Sequence, residues 1–303
     1  MKYILFPNLS KKAAYPTACA VCAQLAQRNA VVCMPQELAP DFPELRNVQF
    51  LPEEQLFADA DFAMPIGGDG TILRCAKRVC DYALQHKTKP VKIVGINTGT
   101  LGFLAAFEVD ELDTLGRLET EDYAISSRLM LCAEIHGGTR NGLISYALND
   151  IYASRLNGKI CDFTVSVDDR PIGIYRADGI VFSTPTGSTA YALSAGGPVM
   201  EPDLQLIEMN LICPHSLFAR PMLFHPQRHI RVTYHGVGNG GLNVHTDGTE
   251  TAVLLDQHAF SVTCAPIAMP FVDCKGHAFY DALNGKLMQP LKVPVPEGGS
   301  SHV

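Results

Sequence analysis

The chain has 303 residues, of which 47% are hydrophobic and 18% charged, a balance typical of a folded globular protein rather than a disordered one. Its formal net charge of −7 gives no support for a nucleic-acid partner or a membrane-surface partner, although a local basic pocket could still bind phosphates. A chain of this length is expected to form two domains. No apolar run approaches the length of a membrane span, and the opening residues do not resemble a secretory signal, so we predict a cytoplasmic protein.

Ten cysteines are scattered through the chain, and in the cytoplasm we expect them to be reduced thiols rather than disulfides. Cys19 and Cys22 form a CxxC pair inside a helix-like stretch, and His225 and His229 form a second short pair. A structural zinc site needs four converging ligands, and no second cysteine pair accompanies the first. We therefore predict no zinc site at either pair.

The first part of the chain alternates short β-like runs with helix-like segments. The predicted strands are YILF (3–6), VVCM (31–34), FAMPI (62–66) and VKIVGIN (91–97), and the predicted helices lie near 15–29 and at 71–84. Such alternation favours βαβ units on a parallel sheet. Residues 1–124 are therefore predicted to form an α/β domain.

From about residue 125 the sequence becomes rich in β-like runs separated by turn residues, with one helix-like stretch at GSTAYALSAGG (187–197). This pattern predicts an all-β domain over residues 125–290. Residues 291–303 are rich in Pro, Gly and Ser, so we expect them to form a flexible tail.

Two glycine-rich stretches differ in their context. GVGNGG (236–241) fits a dinucleotide-binding pattern, but it lies between two β-like runs and no helix follows it, so we interpret it as a hairpin loop. IGGDGT (66–71) follows an apolar strand and precedes a helix that is expected to begin near Thr71, with Thr71 as its cap. Backbone amides at the start of a helix attract anions. The predicted phosphate-binding residues are Gly67, Gly68, Gly70 and Thr71.

Asp69 is the unexpected residue in this turn, because a carboxylate repels phosphate unless it takes a proton, holds a metal ion or binds sugar hydroxyl groups. For this segment alone, the alternative is a tight surface turn without a ligand. Three further segments favour ligand binding: NTGTLGF (97–103), the pair Asn149–Asp150, and DGIVFSTPTGSTAYALSAGGP (178–198). Turn chemistry explains each of them alone but not all of them together.

These four segments, in this order, resemble the NAD kinase family, and the last is the most specific. The glycine–aspartate motif by itself also occurs in diacylglycerol and sphingosine kinases. The resemblance implies a Rossmann-like α/β domain, a β-sandwich-like second domain that binds NAD, a cleft between them, and a homodimer or homotetramer. Members of the family phosphorylate the 2′-hydroxyl of the adenosine ribose of NAD and so make NADP.

By motif position, Asp69 looks like the catalytic residue that orients or deprotonates this hydroxyl. Asn149 and Asp150 would hold adenosine groups, although Asn–Glu is the commoner pair in the family. Phe103 and Tyr191 would line the base pocket. The other residues that the resemblance places on NAD are Gly70, Arg176, Asp178, Thr189, Ala190 and Ser194.

For two residues the sequence leaves two possible roles open. Arg176 is a candidate phosphate partner, and the alternative is a surface ion pair. Asp247, in HTDGTE (245–250), resembles a late Asp–Gly of the family, and a β-turn explains it equally well.

The resemblance also implies Mg²⁺ or another divalent cation, and either ATP or inorganic polyphosphate as the phosphoryl donor. The sequence does not identify the metal-binding residues. A lipid kinase shares GGDGT but has no recognised counterpart of TPTGSTAYALSAGGP (184–198). A non-catalytic NAD(P)-sensing module would bind the dinucleotide without turnover, and the intact Asp69 argues against it.

Overall fold

The structure is a computed structural model that describes residues 1–99, 102–216, 219–236, 240–276 and 278–286. The α-helices are α1 (Ala14–Ala26), α2 (Glu53–Leu56), α3 (Asp69–His86), α4 (Tyr191–Ser194) and α5 (Ala278–Lys286), and 3₁₀ helices lie at Gln36–Asp41, Val109–Leu118, Gly138–Arg140 and Thr186–Thr189. The earlier strands are β1 (Lys2–Pro7), β2 (Val31–Pro35), β3 (Val48–Leu51), β4 (Phe62–Gly67), β5 (Lys92–Ile93), β6 (Ile96–Asn97), β7 (Phe107–Glu108) and β8 (Ala124–Arg128). The later strands are β9 (Leu131–His136), β10 (Ile144–Ala147), β11 (Asp150–Leu156), β12 (Cys161–Val167), β13 (Arg170–Ala177), β14 (Gly179–Ser183), β15 (Ile207–Ile212), β16 (Met222–Phe224), β17 (Ile230–His235), β18 (Gly241–Thr246), β19 (Thr249–Leu254), β20 (Ala259–Cys264) and β21 (Met269–Asp273). The predicted tail, 291–303, lies outside the described residues.

The first sheet has nine strands, most of them in the order β3-β2-β1-β4-β5-β21-β8, with β6 and β7 continuing beside β4. Strands β1 to β5 pair in parallel, and β21 pairs with β5 in parallel but with β8 antiparallel. The sequences of β1 and β4 are nearly uninterrupted apolar runs because both faces of a central parallel strand are buried. The predicted α/β domain with a parallel sheet is confirmed.

This sheet also contains strands from beyond the predicted α/β domain. β8 forms its edge, and β21 inserts between β5 and β8 after the chain has passed through the β-rich region. The chain therefore returns to the first sheet before α5. The domain bounds 1–124 and 125–290 stay a prediction.

Two six-stranded antiparallel sheets make up the β-rich region, in the orders β10-β9-β20-β17-β12-β13 and β16-β15-β14-β11-β18-β19. Alternate residues of β12, among them Phe163 and Val165, are buried in one apolar cluster with Ile180 and Phe182 of β14 in the other sheet. Because the two sheets share one core, the predicted sandwich-like domain is confirmed.

Helix α3 connects the two regions. Its buried residues recur at helical spacing, and they are Thr71, Ile72, Cys75, Ala76, Val79, Cys80 and Ala83. Ile72 and Ala76 lie in one apolar cluster with Leu148, which immediately precedes Asn149. This packing fixes the GGDGT turn at the start of α3 relative to the Asn149–Asp150 pair.

The GVGNGG stretch joins β17 to β18, and its residues 237–239 lie outside the described residues. Strand β17 belongs to one antiparallel sheet and β18 to the other, so the connection crosses between the sheets. The interpretation as a hairpin loop is therefore wrong, because alternating burial does not reveal which sheet a strand joins. The dinucleotide pattern is still rejected, since a strand follows the glycines.

All ten cysteines are free thiols. In the CxxC pair, burial raises the pKa of Cys22 to about 12, so its thiol stays protonated near neutral pH. Within the described ranges, no helix has both the length and the apolar character that a membrane crossing requires.

Candidate active site

The GGDGT turn lies between the end of β4 and the start of α3, at the carboxyl edge of the parallel sheet. Gly67, Gly68 and Gly70 all lack a positive φ, so an unusual backbone conformation does not explain them. A Cβ at Gly67 would lie 2.3 Å from Thr71 Oγ1, whereas a Cβ at Gly68 or Gly70 would meet nothing within 4 Å. The turn thus exposes backbone without side chains at a helix start, an arrangement suited to binding phosphate.

Thr71 does not cap α3 as predicted. The helix begins at Asp69, and its N-cap is Gly68, which has no side chain to make a capping hydrogen bond. Thr71 is buried, and its Oγ1 accepts hydrogen bonds from Asn8 Nδ2 at 3.1 Å and from the Arg74 guanidinium at 3.4 Å. The hydroxyl therefore ties the turn to the residue that follows β1.

The Asp69 carboxylate lies against the NTGTLGF segment. Its Oδ2 accepts the Phe103 backbone N–H at 3.2 Å, and a Cβ at Gly102 would lie 2.5 Å from its Oδ1. Residues 100 and 101 of this segment lie outside the described residues. Two motifs far apart in sequence thus meet at one half-buried carboxylate.

Asn97 holds the start of the NTGTLGF segment. Its Nδ2 donates to Glu108 Oε2 at 2.7 Å, and its Oδ1 accepts the Gly99 N–H at 3.1 Å. Burial raises the pKa of Glu108. The first residue of the motif is therefore a structural anchor for the loop that reaches Asp69.

Asp247 holds the Asn149–Asp150 pair. Its carboxylate accepts three consecutive backbone N–H groups, those of Leu148 and Asn149 at 2.8 Å and that of Asp150 at 3.1 Å. Asp247 has a φ of 46° and Gly248 a φ of 76°, in the tight turn between β18 and β19. The residue therefore lies in a β-turn and also fixes the backbone of the predicted adenosine-binding pair.

Asp150 and Asp247 are two carboxyl groups buried close together. Burial, with the Asp247 charge as the second cause, raises the pKa of Asp150 to about 7, and a hydrogen bond from the Tyr191 backbone opposes the shift. Burial also raises the pKa of Asp247, against the three backbone hydrogen bonds that lower it. The pair therefore takes up a proton closer to neutral pH than exposed aspartates do.

The TPTGST segment (184–189) closes over this pair. The Asn149 carbonyl oxygen accepts the Thr184 N–H at 2.9 Å, and Thr184 Oγ1 donates to the Leu148 carbonyl oxygen at 2.6 Å. A Cβ at Gly187 would lie 2.2 Å from the Asn149 carbonyl oxygen. Gly187 is therefore required by the close approach of two backbones.

Two buried polar atoms at this junction, Asn149 Oδ1 and Thr186 Oγ1, have no hydrogen-bond partner among the described residues. Buried polar atoms in proteins are normally paired. The Asn149 amide oxygen in particular can accept a hydrogen bond from a hydroxyl or amino group, and both groups are present on a nucleoside.

Tyr191 begins α4 and belongs to an aromatic cluster. Its ring packs edge-on against Tyr152 at a centroid distance of 4.9 Å, and Tyr152 stacks on His245 at 4.6 Å. Burial chiefly raises the pKa of Tyr191, and the charges of Asp150 and Asp178 add to the shift. The tyrosine therefore lies close to two of the aspartates that the sequence singled out.

The remaining predicted residues on this segment lie near Tyr191. Thr189 and Ala190 are half-buried, and Ser194 is exposed at the end of α4. They form one short stretch with Tyr191, whose backbone hydrogen-bonds to Asp150.

Arg176 and Asp178 take part in ion pairs at the end of β13. Arg176 donates from Nε and from a terminal nitrogen to the two Asp162 carboxylate oxygens, both at 2.7 Å, and its side chain is 61% exposed. Asp178 pairs with Arg155 at 2.8 Å. Arg176 thus forms the surface ion pair that was the alternative to a phosphate contact, and its binding role stays a prediction.

Sequence reasoning missed how several residues support the site. Gly102 and Gly187 each make room for atoms of residues far along the chain, so no local pattern could reveal their purpose. The backbone-binding role of Asp247 had one visible signal, an Asp–Gly turn in the β-rich region. The contact of Arg74 with Thr71 had no signal in the sequence beyond the position of Arg74 on the helix that follows GGDGT.

No group of three or more His, Cys, Asp or Glu side chains in the described part of the chain could hold a metal ion. Mg²⁺ does not need such a cluster, since one or two carboxylates together with substrate phosphates commonly bind it. Asp69 is the carboxylate in the open glycine turn. The site therefore fits a divalent cation that binds together with a phosphate-bearing substrate.

Comparison with known proteins agrees with this geometry. The ATP-NAD kinase N-terminal domain matches residues 4–120, and the ATP-NAD kinase C-terminal domain matches residues 148–274. An NAD kinase of Symbiobacterium thermophilum is 34% identical over 293 residues, which are 94% of this chain and 98% of that protein. An NAD kinase of Moorella thermoacetica is 34% identical over 286 residues, 93% of this chain and 88% of its own.

Two solved structures share the fold. Yeast NADH kinase complexed with NADH has a TM-score of 0.86 and 23% identity, with 95% of this chain and 87% of that chain covered. An NAD kinase from Archaeoglobus fulgidus in complex with ATP has a TM-score of 0.68 and 23% identity, covering 93% of this chain and 96% of its own. The domain matches and the near-full-length relatives support the NAD kinase interpretation and not the lipid-kinase or sensing alternatives. The chain belongs to the NAD kinase family.

Proposed function

We propose that this kinase transfers the terminal phosphoryl group of ATP to the 2′-hydroxyl of the adenosine ribose of NAD, giving NADP and ADP. The observation that carries the proposal is the Asp69 carboxylate, oriented by the Phe103 N–H at the edge of an open glycine turn. The relatives that match nearly the whole chain are NAD kinases, and the Archaeoglobus structure contains ATP.

Asp69 acts as the general base. It takes the proton of the 2′-hydroxyl while the ribose oxygen forms a bond to the γ-phosphorus and the bond from that phosphorus to the ADP oxygen breaks. The proton then passes to solvent, so NAD and ATP give NADP, ADP and one proton. A positioned general base contributes about 10² to 10⁴ in rate.

The glycine turn receives the transferred phosphates. Gly68 and Gly70 leave the start of α3 uncovered, so backbone N–H groups and the helix dipole face the negative charge. Gly67 and Thr71 keep the turn in place through their close contact. A divalent cation such as Mg²⁺, when bound with ATP, neutralises phosphate charge, and Asp69 is the residue here that would help to hold it.

The sandwich side of the site holds the acceptor. Asn149 Oδ1, buried and without a partner among the described residues, accepts a hydrogen bond from the adenosine moiety. Tyr191 and Phe103 supply aromatic surface to the base. Asp150 holds the ribose through its carboxyl group, and Asp247 keeps its backbone fixed.

Further features rest on the family resemblance. Thr189, Ala190 and Ser194 contact the dinucleotide beside Tyr191, and Asp178 and Arg176 contact it from the end of β13. The enzyme forms a homodimer or homotetramer in the cytoplasm. Sedimentation of the purified protein measures the oligomeric state directly.

The test is an assay of the purified chain with NAD, ATP and Mg²⁺, read out by a dehydrogenase that accepts only NADP. Because that enzyme recognises the 2′-phosphate, a signal reports both transfer and its position. ADP release with diacylglycerol in place of NAD would instead support a lipid kinase. NAD binding in a calorimeter without any ADP release would support a sensing module and contradict the proposal.

A further inference from the structure

Glu208 and Asn210 are two polar residues of β15 that lie inside the protein. Glu208 is 0% exposed and Asn210 is 2% exposed. Because side chains alternate along a strand, both lie on one face of the sheet, whereas Met209 between them is part of the apolar core of the sandwich. Glutamate is almost never fully buried unless it is paired. The partner of Glu208 therefore needs to be identified.

Glu208 belongs to a row of polar residues that crosses the sheet from the Asn149–Asp150 pair. Asp150 on β11 is directly opposite Ser183 on β14, and Ser183 is directly opposite Glu208 on β15. All three residues are buried. Neighbouring strands lie about 4.8 Å apart, so the backbones of Asp150 and Glu208 are roughly 10 Å apart. Glu208 is therefore on the same face of the sheet as Asp150.

The backbone of Gly197, in the turn that follows α4, packs directly on the contact between Glu208 and Asn210. A Cβ at Gly197 would lie 2.0 Å from Glu208 Oε1 and 2.6 Å from Asn210 Nδ2. The Gly197 N–H donates to the carbonyl oxygen of Ala192, the residue after Tyr191, at 2.9 Å. The two buried side chains therefore support the turn that ends α4, the helix on which Tyr191 lies.

The hydrogen bonds between Glu208 and Asn210 are incomplete when Glu208 carries a negative charge. Asn210 Nδ2 donates to Glu208 Oε1 at 2.5 Å. Glu208 Oε2 and Asn210 Oδ1 are buried and have no hydrogen-bond partner in the described part of the chain. A carboxylate oxygen and an amide oxygen both only accept, so they cannot pair with each other, whereas a protonated carboxyl group has one O–H donor. One proton on Glu208 Oε2 therefore supplies the donor that both atoms lack.

The surroundings of Glu208 favour this neutral form. Its neighbours are uncharged: Ser183 on β14, Leu223 on β16 and Gly197 after α4. Burial raises the pKa of Glu208, the Asn210 hydrogen bond opposes the shift, and no charge among the described residues adds to these two causes. The negative form would thus be buried with neither a cation nor a full set of hydrogen bonds.

We infer that Glu208 is a neutral carboxylic acid joined to Asn210 by two hydrogen bonds, and that this acid–amide pair is a positioning element for the NAD site. In the first bond Asn210 Nδ2–H donates to Glu208 Oε1, and in the second Glu208 Oε2–H donates to Asn210 Oδ1. The pair holds the turn after α4 and, through α4, the ring of Tyr191. The inference rests on the proposed function, because Tyr191 is assigned there to the base of NAD.

Glu208→Gln tests the proton directly, because an amide in place of the acid keeps both hydrogen bonds without a titratable group. At neutral pH, wild type is expected to show the infrared carbonyl band of a protonated carboxylic acid, and Glu208→Gln is expected to lose the part of it that belongs to Glu208. Glu250→Gln is the matched control, since Glu250 is exposed and accepts a hydrogen bond from Asn243 at 2.8 Å. The control should leave the band unchanged. Equal bands in wild type and Glu208→Gln would overturn the inference.

Calorimetric binding of NAD, without ATP, tests the positioning role. Glu208→Gln should bind NAD within twofold of wild type. Asn210→Asp keeps the shape, but two carboxyl groups make the same pair only when both are protonated. At pH 8 its dissociation constant should therefore exceed that of wild type about tenfold, and the ratio should shrink at pH 5. Wild-type affinity of Asn210→Asp at pH 8, or a tenfold loss in Glu208→Gln, would overturn the positioning role.

Melting curves verify that each variant is folded, and the infrared comparison of Glu208→Gln decides the inference if Asn210→Asp does not fold. In steady-state assays of Asn210→Asp, the KM for NAD should rise at pH 8 while kcat stays within about threefold. If wild type makes no NADP from NAD and Mg–ATP, the proposed function fails, and the infrared band and NAD binding still test the acid–amide pair. Failure of wild type to bind NAD would overturn the positioning role as well.

Discussion

The two sides of the candidate active site use glycine in opposite ways. In the GGDGT turn, Gly68 and Gly70 face open space, whereas Gly187 on the sandwich side is pressed against the Asn149 carbonyl oxygen. Asp247 further closes the sandwich side by binding three backbone amides. The backbone of the turn is open to a ligand, whereas the backbone on the sandwich side is already bound and packed by other parts of the protein. A glycine in a binding motif can therefore indicate either a ligand or tight packing, and only its surroundings tell which.

The largest stability effect is expected from Gly187→Ala. A methyl group 2.2 Å from a backbone oxygen forces the two segments apart, so the variant should lose more than about 3 kcal/mol, or roughly 6 °C or more in Tm. Gly68→Ala is the matched control, because its Cβ meets nothing within 4 Å. Equal melting temperatures for the two variants would contradict the description of Gly187 as tightly packed and of Gly68 as open.

The stability of Asp150→Asn, compared with wild type at different pH values, tests the buried carboxyl pair on the sandwich side. The folded pKa of Asp150 is about 7 against an ordinary 3.8, so the native state holds a proton that the unfolded chain releases. Stability is therefore lost as pH rises from 3.8 through about 7, and the loss is complete above that range.

The asparagine variant lacks this loss. It should be more stable than wild type at pH 8 by up to about 4 kcal/mol and close to it at pH 4. Melting curves of both proteins between these pH values measure the difference. An offset that does not vary with pH would mean that Asp150 titrates as an exposed aspartate does.

Tyr191→Ala tests whether Tyr191 only supplies aromatic surface to the base of NAD. An aromatic wall contributes equally to the ground state and the transition state, so its loss should raise the KM for NAD roughly tenfold and keep kcat within about threefold. Tyr191→Phe keeps the ring and should restore the KM. A collapse of kcat at an unchanged KM would show that Tyr191 is more than a wall.

Gly70→Ala should have the smallest effect on stability, with the opposite sign to that of Gly187→Ala. Gly70 lies in the first turn of α3, where alanine is favoured over glycine by up to about 1 kcal/mol, and its Cβ would meet no atom within 4 Å. The same methyl group enters the space assigned to phosphates, so the KM for ATP should rise several-fold. A destabilised variant, or one with normal ATP kinetics, would contradict the open-turn description.

Local patterns in the sequence predicted much of this structure. The apolar runs at β1 and β4 identified central strands, and the glycine turn between β4 and α3 located the candidate site. The start of α3 was placed near Thr71 instead of Asp69, because the true N-cap is a glycine with no capping side chain to signal it.

Features that depend on distant contacts could not be predicted. The return of β21 to the first sheet leaves no trace in the strand itself, which resembles its neighbours in composition. Gly102 and Gly187 were assigned to motifs, but the atoms that require them belong to Asp69 and Asn149.

We propose that the chemical step takes place at Asp69 and not at the buried carboxyl group of Asp150. Single-turnover phosphorylation of bound NAD by Mg–ATP, measured in wild type, Asp69→Asn and Asp150→Asn, tests it most directly. Asp69→Asn is expected to slow the step by about 10² or more while the protein folds and binds NAD, and Asp150→Asn is expected to stay within about tenfold of wild type. A near-normal rate in folded Asp69→Asn, or a greater loss in Asp150→Asn, would contradict the claim.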